Sequence, residues 1–137
     1  MKLSYLAVPY SHPDPAIRAE RFHAANLAAG ELIRRGHIVF SPISHTHPIA
    51  EVCDMPKGWD FWHQYDRAFI AASRLLVVLC IEGWDRSVGV AAEFEIAREV
   101  DIPIMFMTIV EGVGCVLSAA SPNADIRYVA GHAKENA

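Results

Sequence analysis

The chain has 137 residues, a length typical of one domain around one core, and 53% of them are hydrophobic. Charged residues make up 20%, the formal net charge is −4, and the basic residues are not clustered. This composition excludes long disordered segments and argues against a binder of long nucleic acids, which would normally carry a basic stripe. A small nucleotide is still a feasible ligand, because backbone N–H groups and hydroxyls can bind its phosphate.

The cysteines and the apolar segments bear on the cellular compartment. The three cysteines, Cys53, Cys80 and Cys115, are widely spaced and form no CxxC motif, so we expect neither a disulfide framework nor a cysteine-rich zinc site. The first residues lack the apolar run of a signal peptide, and the longest apolar run, Leu75 to Ile81, is too short to span a bilayer. We therefore expect a cytoplasmic protein with no membrane partner.

In the first part of the chain, two short apolar strands are predicted on either side of a long helix. The strands cover Leu3 to Val8 and His37 to Phe40. The helix begins at Asp14-Pro15, an N-cap followed by the proline favoured at the first helical position. It ends at Arg34-Arg35-Gly36, where two cations and a glycine form a stop signal.

The middle of the chain contains a polar segment, a helix and a central strand. Ser41 to Pro56 is polar and proline-rich, and we expect it to be irregular; loops of this length are often functional. Trp59 to Ala72 has helical periodicity. The run from Leu75 to Ile81 is continuously apolar, which is typical of a parallel strand covered on both faces.

The last part of the chain continues the alternation of helix and strand. A loop from Glu82 to Arg86 precedes a helix from Ser87 to Val100, a strand from Ile102 to Met107 and a last edge strand at Asp125 to Val129. Repeated strand–helix units predict an α/β protein whose mainly parallel sheet has helices on both sides.

Topology alone indicates where a ligand binds, because α/β sheets bind ligands at the carboxyl ends of their strands. The segments at that edge are Pro9–Pro13, Ser41–Pro56 and Glu82–Gly89. In the first of them, Pro9, Tyr10 and Ser11 are candidate phosphate contacts. The segment has no glycine cluster of the G-x-G-x-x-G type, so a dinucleotide is not indicated and we expect no cofactor.

Two acidic residues lie on helix faces that are otherwise apolar. At about 100° per residue, Glu93 falls on the same stripe as Val90 and Ala97, and Asp66 shares a face with Phe69. Burying a carboxylate without a partner costs several kcal/mol (roughly 2–7 even for a neutral polar group). Either a functional role or an ion pair must therefore account for both, the candidate partners being Arg67, Arg74 and Arg86.

Paired carboxylates are typical of glycosyl chemistry. One attacks or stabilises the anomeric carbon, and the other helps to protonate the leaving group. Asp66 and Glu93 flank the same predicted strand, so they can converge on one pocket. Gly89, one turn before Glu93, would leave room there for a sugar.

The segment Ser87-Val88-Gly89-Val90-Ala91-Ala92-Glu93, which follows the apolar strand, resembles the nucleoside 2-deoxyribosyltransferase family. Tyr5-Leu6-Ala7-Val8-Pro9-Tyr10 looks like that family's first strand and loop, and Tyr65-Asp66-Arg67 stands where the family carries an Asp. The resemblance covers roughly residues 3–107. It implies a three-layer flavodoxin-like (Rossmann-like) fold of about five strands, one such domain over residues 1–137, and a homodimer or higher homo-oligomer.

The resemblance also implies roles for individual residues. Glu93 would be the nucleophile that forms a covalent glycosyl intermediate, which divides one difficult displacement into two easier ones. Tyr5 would orient Glu93, and Asp66 would contact the base of a nucleoside or nucleotide and aid its departure. Water or a second base would then accept the sugar.

Ser87 departs from the transferase pattern, which usually carries Asp six residues before the nucleophile. In the related deoxynucleoside-monophosphate N-glycosidases, a serine at this place helps to hold the 5′-phosphate, and a helix N-terminus suits an anion. Serine is also an ordinary N-cap, so both interpretations stay open. For the family's residue that reaches across the subunit boundary, Ser118 and Asn123 are candidates.

Three further signals indicate other interpretations. His45-Thr46-His47, if extended, would turn both rings to one side, and Cys53, Asp54 and His63 can add ligands for a metal hydrolase. The aromatic residues suit either a stacking platform for a base or, more commonly, a core or an interface; they are Trp59, Phe61, Trp62 and Trp84. Among them Trp84, in the loop before the Glu93 helix, is the best candidate for contact with a ligand. A non-catalytic nucleotide sensor on the same fold is the remaining alternative.

Overall fold

The structure, a computed structural model that describes residues 3–56 and 58–123, is an α/β protein with one five-stranded sheet flanked by helices. The strands are β1 (Leu3–Ala7), β2 (Ile38–Phe40), β3 (Leu75–Leu79), β4 (Ile104–Val110) and β5 (Gly114–Ser118). The helices are α1 (Pro15–Arg34), α2 (Pro42–Val52), α3 (Trp59–Ala72) and α4 (Val88–Glu99), with a short 3₁₀ turn at Trp84–Arg86.

The sheet has the strand order β2-β1-β3-β4-β5 and is parallel except for its last pair. The central strand β3 is buried along its whole length, as its uninterrupted apolar sequence predicts. Tyr5 of β1 lies opposite Phe40 of β2 on one side and Leu76 of β3 on the other. The sheet is therefore mainly parallel, and the sequence-based prediction of an α/β fold is confirmed at this level.

Helices cover both faces of the sheet because alternate strand residues point to opposite sides. On one face, Leu6 and Val77 pack with Ala28 and Leu32 of α1. The other face is covered by α3 and α4, where a second apolar cluster forms from Tyr5, Ala7, Ile70, Leu76, Val78, Val90, Phe94 and Ala97. The two inward carboxylates therefore belong to the helices of this second face.

Helix α1 begins and ends where its capping signals predict. The Asp14 side chain accepts a hydrogen bond from the Ala16 N–H at 2.9 Å, and Pro15 occupies the first helical position. Gly36 follows the helix with a φ of +92°, a backbone conformation that favours glycine.

The expectation that Ser41 to Pro56 is irregular is wrong, because most of the segment forms helix α2. Pro42 occupies its first turn, where an N–H is not needed, and Pro48 lies inside the helix, where it removes the usual donor to the Ser44 carbonyl. Ala50 is buried, and Ile43 packs against the core on the α1 face. Burial of this apolar side stabilises a helix that its prolines and polar residues argue against.

The edge strand also differs from the sequence-based prediction. It is β5, which pairs antiparallel with β4 through a hairpin whose Gly112 and Gly114 have φ values of +77° and +103°. The Asp125 to Val129 strand expected from the sequence lies outside the described residues. Within residues 3–56 and 58–123, no helix is both long and apolar enough to cross a membrane.

Candidate active site

A cavity of about 320 Å³ lies at the carboxyl ends of the strands. This is the edge of the sheet at which the topology predicts a ligand. All three segments singled out at that edge contribute to its walls. Its lining includes Val8, Tyr10, Ser11, Pro42, Ile43, Thr46, His47, Ala50, Gly58, Trp59, Trp62, Asp66, Arg86, Ser87, Val88, Gly89 and Glu93.

Glu93 projects from α4 into the floor of this cavity and is only 5% exposed. Its Oε2 accepts a hydrogen bond from the Tyr5 hydroxyl, and Tyr5 is itself fully buried on β1. Tyr5 lies on an interior strand, which is paired with β2 on one side and with β3 on the other. The phenol therefore fixes one carboxylate oxygen and leaves the other, Oε1, to face other groups.

Asp66 reaches the same cavity from α3 and is 7% exposed. Its Oδ1 is buried and has no hydrogen-bond partner among the described residues. Such an orphaned acceptor is costly unless it is protonated or meets a ligand.

The ion-pair alternative for these carboxylates finds no support among residues 3–56 and 58–123. Arg67 pairs with Glu99 at 2.5 Å, and Arg86 pairs with Glu82 at 2.6 Å. Arg74 is exposed and directly precedes β3, at the opposite edge of the sheet from the cavity.

Burial raises the pKa of both carboxyl groups. The pKa of Asp66 rises from 3.8 to about 6 because desolvation disfavours the charged form. The pKa of Glu93 lies well above its usual value, mainly through burial and secondly through the negative charge of Asp66, although the hydrogen bond from Tyr5 opposes the shift. The Tyr5 pKa is likewise raised by burial and by both carboxylates, so the phenol stays a donor. Two such carboxyl groups facing one cavity are suited to nucleophilic and acid–base chemistry.

Ser87 lies at the mouth of the cavity and caps α4. Its Oγ accepts a hydrogen bond from the Val90 N–H at 3.2 Å, so the capping interpretation is confirmed. That bond uses the oxygen as an acceptor and leaves the hydroxyl hydrogen to donate to a ligand. At Gly89 an added Cβ would lie 3.9 Å from Ser87 Oγ, an ordinary van der Waals contact, so a methyl group would fit there without a clash.

Two of the four aromatic residues considered as a stacking platform line the cavity. Trp84 is 8% exposed and packs edge-on against Phe106 in the core, with ring centroids 5.8 Å apart. It is not among the described lining residues of this cavity, and its role as a ligand contact stays a prediction. The two that line it are Trp59 and Trp62.

The loop after β1 contributes only two of its three candidate contacts. Tyr10 and Ser11 line the cavity, whereas Pro9 is buried and is absent from the described lining, so its role as a ligand contact stays a prediction. The Tyr10 hydroxyl lies 2.6 Å from Nδ1 of His47 on α2. The loop is thus tied to the helix that forms the opposite wall.

The geometry assumed for a metal site is also wrong. His45 and His47 lie on a helix, where residues two apart point in nearly opposite directions. The His45 ring meets the Tyr65 hydroxyl at 3.1 Å, and His47 meets Tyr10. Across residues 3–56 and 58–123, no three side chains of the His, Cys, Asp or Glu type are grouped as metal ligands.

Several lining residues escape the sequence analysis as ligand contacts. The sequence analysis considers Arg86 only as an ion-pair partner. It does not predict the lining residues of α2, because it expects that segment to be an irregular loop. The available signal is positional, because both segments follow the carboxyl ends of strands. Ser118 and Asn123 lie outside this cavity's described lining, so a role across a subunit boundary stays a prediction.

One protein family matches the sequence over most of its length. Residues 2–109 match the family described as "Domain of unknown function (DUF1937)", a range that includes Tyr5, Asp66, Ser87 and Glu93. No curated protein shows significant similarity to the chain. The chain therefore belongs to the DUF1937 family.

Proposed function

We propose that the protein cleaves the N-glycosidic bond of a (deoxy)nucleoside or a nucleoside 5′-monophosphate through a covalent glycosyl–Glu93 intermediate. Water or a second base is the acceptor. The observation that carries the proposal is the pair of buried carboxyl groups, Asp66 and Glu93, that face one cavity without an arginine partner among the described residues.

The reaction is a double displacement at the anomeric carbon. Glu93 Oε1 forms a bond to C1′ while the C1′–N bond breaks. The electron pair of the C1′–N bond leaves with the base. Asp66, when protonated, gives its proton to that base. In the second step water or another base attacks C1′, the C1′–Oε1 bond breaks, and Asp66 takes up the proton that the acceptor loses.

The chemistry needs one proton on the carboxyl pair. Both pKa values are raised, so the pair keeps a proton at pH values where isolated carboxyl groups would both be ionised. The hydrogen bond from Tyr5 favours the charged form of Glu93. The proposed reaction proceeds from the arrangement of this pair in which Asp66 carries the proton and Glu93 is ionised.

The dimensions and walls of the cavity fit a nucleotide. A volume of about 320 Å³ is within the range of small-molecule sites. Trp59 and Trp62 provide flat apolar surfaces for a base, while Arg86, the Ser87 hydroxyl and the N-terminus of α4 provide positive potential for a phosphate. The strand order β2-β1-β3-β4-β5 is that of flavodoxin-like folds, with an antiparallel fifth strand here.

Release of free base from a panel of nucleosides, deoxynucleosides and their 5′-monophosphates tests the proposal. We expect base release by the native protein, loss of at least about a thousandfold in Glu93→Gln, and near-native rates in Glu99→Gln, an exposed acid on the same helix. Glutamine keeps an oxygen that can accept from Tyr5, so the first variant retains its packing.

Mass spectrometry of acid-quenched reactions adds direct evidence. A sugar or sugar-phosphate adduct should be found on the peptide containing Glu93 and be absent from the glutamine variant. Tight nucleotide binding without base release from any substrate would contradict the proposal and favour a non-catalytic sensor.

The family resemblance also leads us to propose a homodimer or a higher homo-oligomer in solution. Light scattering coupled to size-exclusion chromatography measures the molar mass directly. A mass equal to that of a single 15.1 kDa chain at all concentrations would contradict this part of the proposal.

A further inference from the structure

Arg21, in the second turn of α1, bridges two loops at the mouth of the cavity. Its Nη1 donates to the Ser11 carbonyl at 3.0 Å and its Nη2 donates to the Glu82 carbonyl at 3.1 Å. Ser11 follows β1 and lines the cavity, whereas Glu82 opens the segment that leads to the lining residues Arg86 and Ser87. One guanidinium therefore connects two loops, one 10 residues before Arg21 in the sequence and the other 61 residues after it.

Gly83 leaves the space that the Arg21 guanidinium occupies. Its φ of +91° lies in the region that favours glycine, and an added Cβ would lie 2.5 Å from Arg21 Nη2. Any larger residue at position 83 must therefore displace the guanidinium as well as strain the backbone.

We propose that Arg21 is a positioning residue that holds the Ser11 loop and the Glu82–Ser87 segment in the geometry that binds ligand. Arg21 itself is not part of the described cavity lining, so it acts through the loops that it joins. Hydrogen bonds from a charged donor to two carbonyls are strong enough to order short loops before the ligand arrives. As a statement about substrate affinity, the inference rests on the proposed function.

The effect of Arg21 falls on binding rather than on the chemical step. Tyr5, Asp66 and Glu93 project from β1, α3 and α4, whose positions are set by the apolar core and not by the two loops. The groups at the mouth, including Ser11 and Arg86, depend on the loops. Loosening the loops therefore raises KM and leaves kcat nearly constant.

Arg21→Ala and Arg21→Lys test this role, with Arg35→Ala as the matched control. Arg35 lies just after α1 and also donates to a backbone carbonyl, that of Cys115 at 2.5 Å, but far from the cavity. We expect KM for the best substrate of the panel to rise about tenfold in Arg21→Ala, with kcat within about twofold of native. Lysine, which can keep one of the two bonds, should give an intermediate value, and Arg35→Ala should leave KM unchanged.

Amide hydrogen exchange measures how firmly Arg21 holds the two loops, and this measurement does not depend on catalysis. Backbone amides near Ser11 and near Glu82 should exchange faster in Arg21→Ala and not in Arg35→Ala. Gly83→Ala, which expels the guanidinium, should reproduce the rise in KM. Adding Gly83→Ala to Arg21→Ala should raise KM little further, because the contact is already lost.

Three results would overturn the inference: unchanged exchange in either loop of Arg21→Ala, faster exchange with an unchanged KM, or an equal rise in KM in Arg35→Ala. If the native protein releases no base, the failure belongs to the proposed function. The rates of amide hydrogen exchange in the two loops then still decide whether Arg21 joins them.

Discussion

At the scale of single residues, burial and a phenol act in opposite directions on Glu93. Burial raises its pKa and keeps the proton, while the Tyr5 hydroxyl stabilises the ionised form. A nucleophile needs the ionised form without the full cost of removing a charge from water. In the proposed mechanism, the Tyr5 hydrogen bond is thus what allows a buried Glu93 to act as the nucleophile.

Tyr5→Phe removes that donor and leaves the ring in place. The Glu93 pKa should rise further, so the acidic limb of the pH profile of kcat/KM should move to higher pH, and kcat at pH 6 should fall roughly ten- to hundredfold. Steady-state rates between pH 4.5 and 9 measure both effects. Tyr65→Phe, at a tyrosine that is 37% exposed, is the control, and a Tyr5→Phe profile with an unmoved acidic limb would refute the role.

Asp66→Asn removes the side chain that we propose as the proton donor to the leaving base. We expect base release to slow by roughly 10²- to 10⁴-fold for ordinary purine substrates. The defect should be much smaller for a 7-methylated purine nucleotide, because its positively charged base leaves as a neutral molecule without a proton. Equal defects for both substrates, measured by chromatography of the free base, would show that Asp66 is not the acid.

At the scale of elements, the N-terminus of α4 combines two functions in Ser87, which caps the helix and lies at the mouth of the cavity. Ser87→Asp separates them, because aspartate is an equally good N-cap but repels a phosphate. We expect an unchanged or slightly higher melting temperature, a KM for 5′-monophosphates raised at least about tenfold, and an unchanged KM for nucleosides.

Ser87→Ala completes the comparison. It loses the cap and should lower stability by about 1 kcal/mol in thermal denaturation. If both variants affected nucleosides and monophosphates equally, the serine would be a cap alone.

The elements that the sequence predicts correctly are those whose signals are local. Helix α1 has an N-cap, an N-terminal proline and a final glycine, and β3 is an uninterrupted apolar run. Helix α2 is missed because Pro42 and Pro48 resemble a breaker pattern, although the first is harmless at a helix start and burial of Ala50 stabilises the rest. Strand β5 depends on pairing with β4, a tertiary contact that no local pattern supplies.

In the candidate site, too, the features that the sequence predicts correctly are those with a local signal. Helical periodicity alone places Asp66 and Glu93 on buried faces, and the structure confirms their burial. The packing of Trp84 against Phe106 could not be predicted, because Trp84 follows Gly83, whose positive φ is not evident from the sequence. The bonds of Arg21 go to backbone carbonyls, which any residue can supply, so no residue pattern marks them.

At the scale of the whole molecule, the cavity is assembled from parts that are distant in sequence. Residues after β1, β2 and β3 meet at one edge of a parallel sheet, and α3 supplies the remaining wall. The acids are then enclosed by two helices and the sheet, so their ionisation is coupled to folding of the entire domain.

The free energy of unfolding should therefore depend on pH through this pair. Between pH about 4 and about 6 the folded protein retains a proton on Asp66, whereas the unfolded chain, with its ordinary pKa of 3.8, has lost it. The folded state binds more protons, so the contribution of Asp66 to stability falls as pH rises through that window. Glu93, whose pKa is also raised, extends the fall to higher pH.

Asp66→Asn and Glu93→Gln should remove this loss of stability. Relative to the native protein, each variant should differ little at pH 4 and be more stable at pH 8, by roughly 2 kcal/mol for Asp66→Asn after allowance for partial solvent screening. Urea denaturation at pH 4, 6 and 8 measures the difference. Glu99→Gln, which removes an exposed ion pair with Arg67, should show no such gain. Variants that are less stable than the native protein at pH 8 would mean that the buried carboxylates serve the fold rather than a ligand.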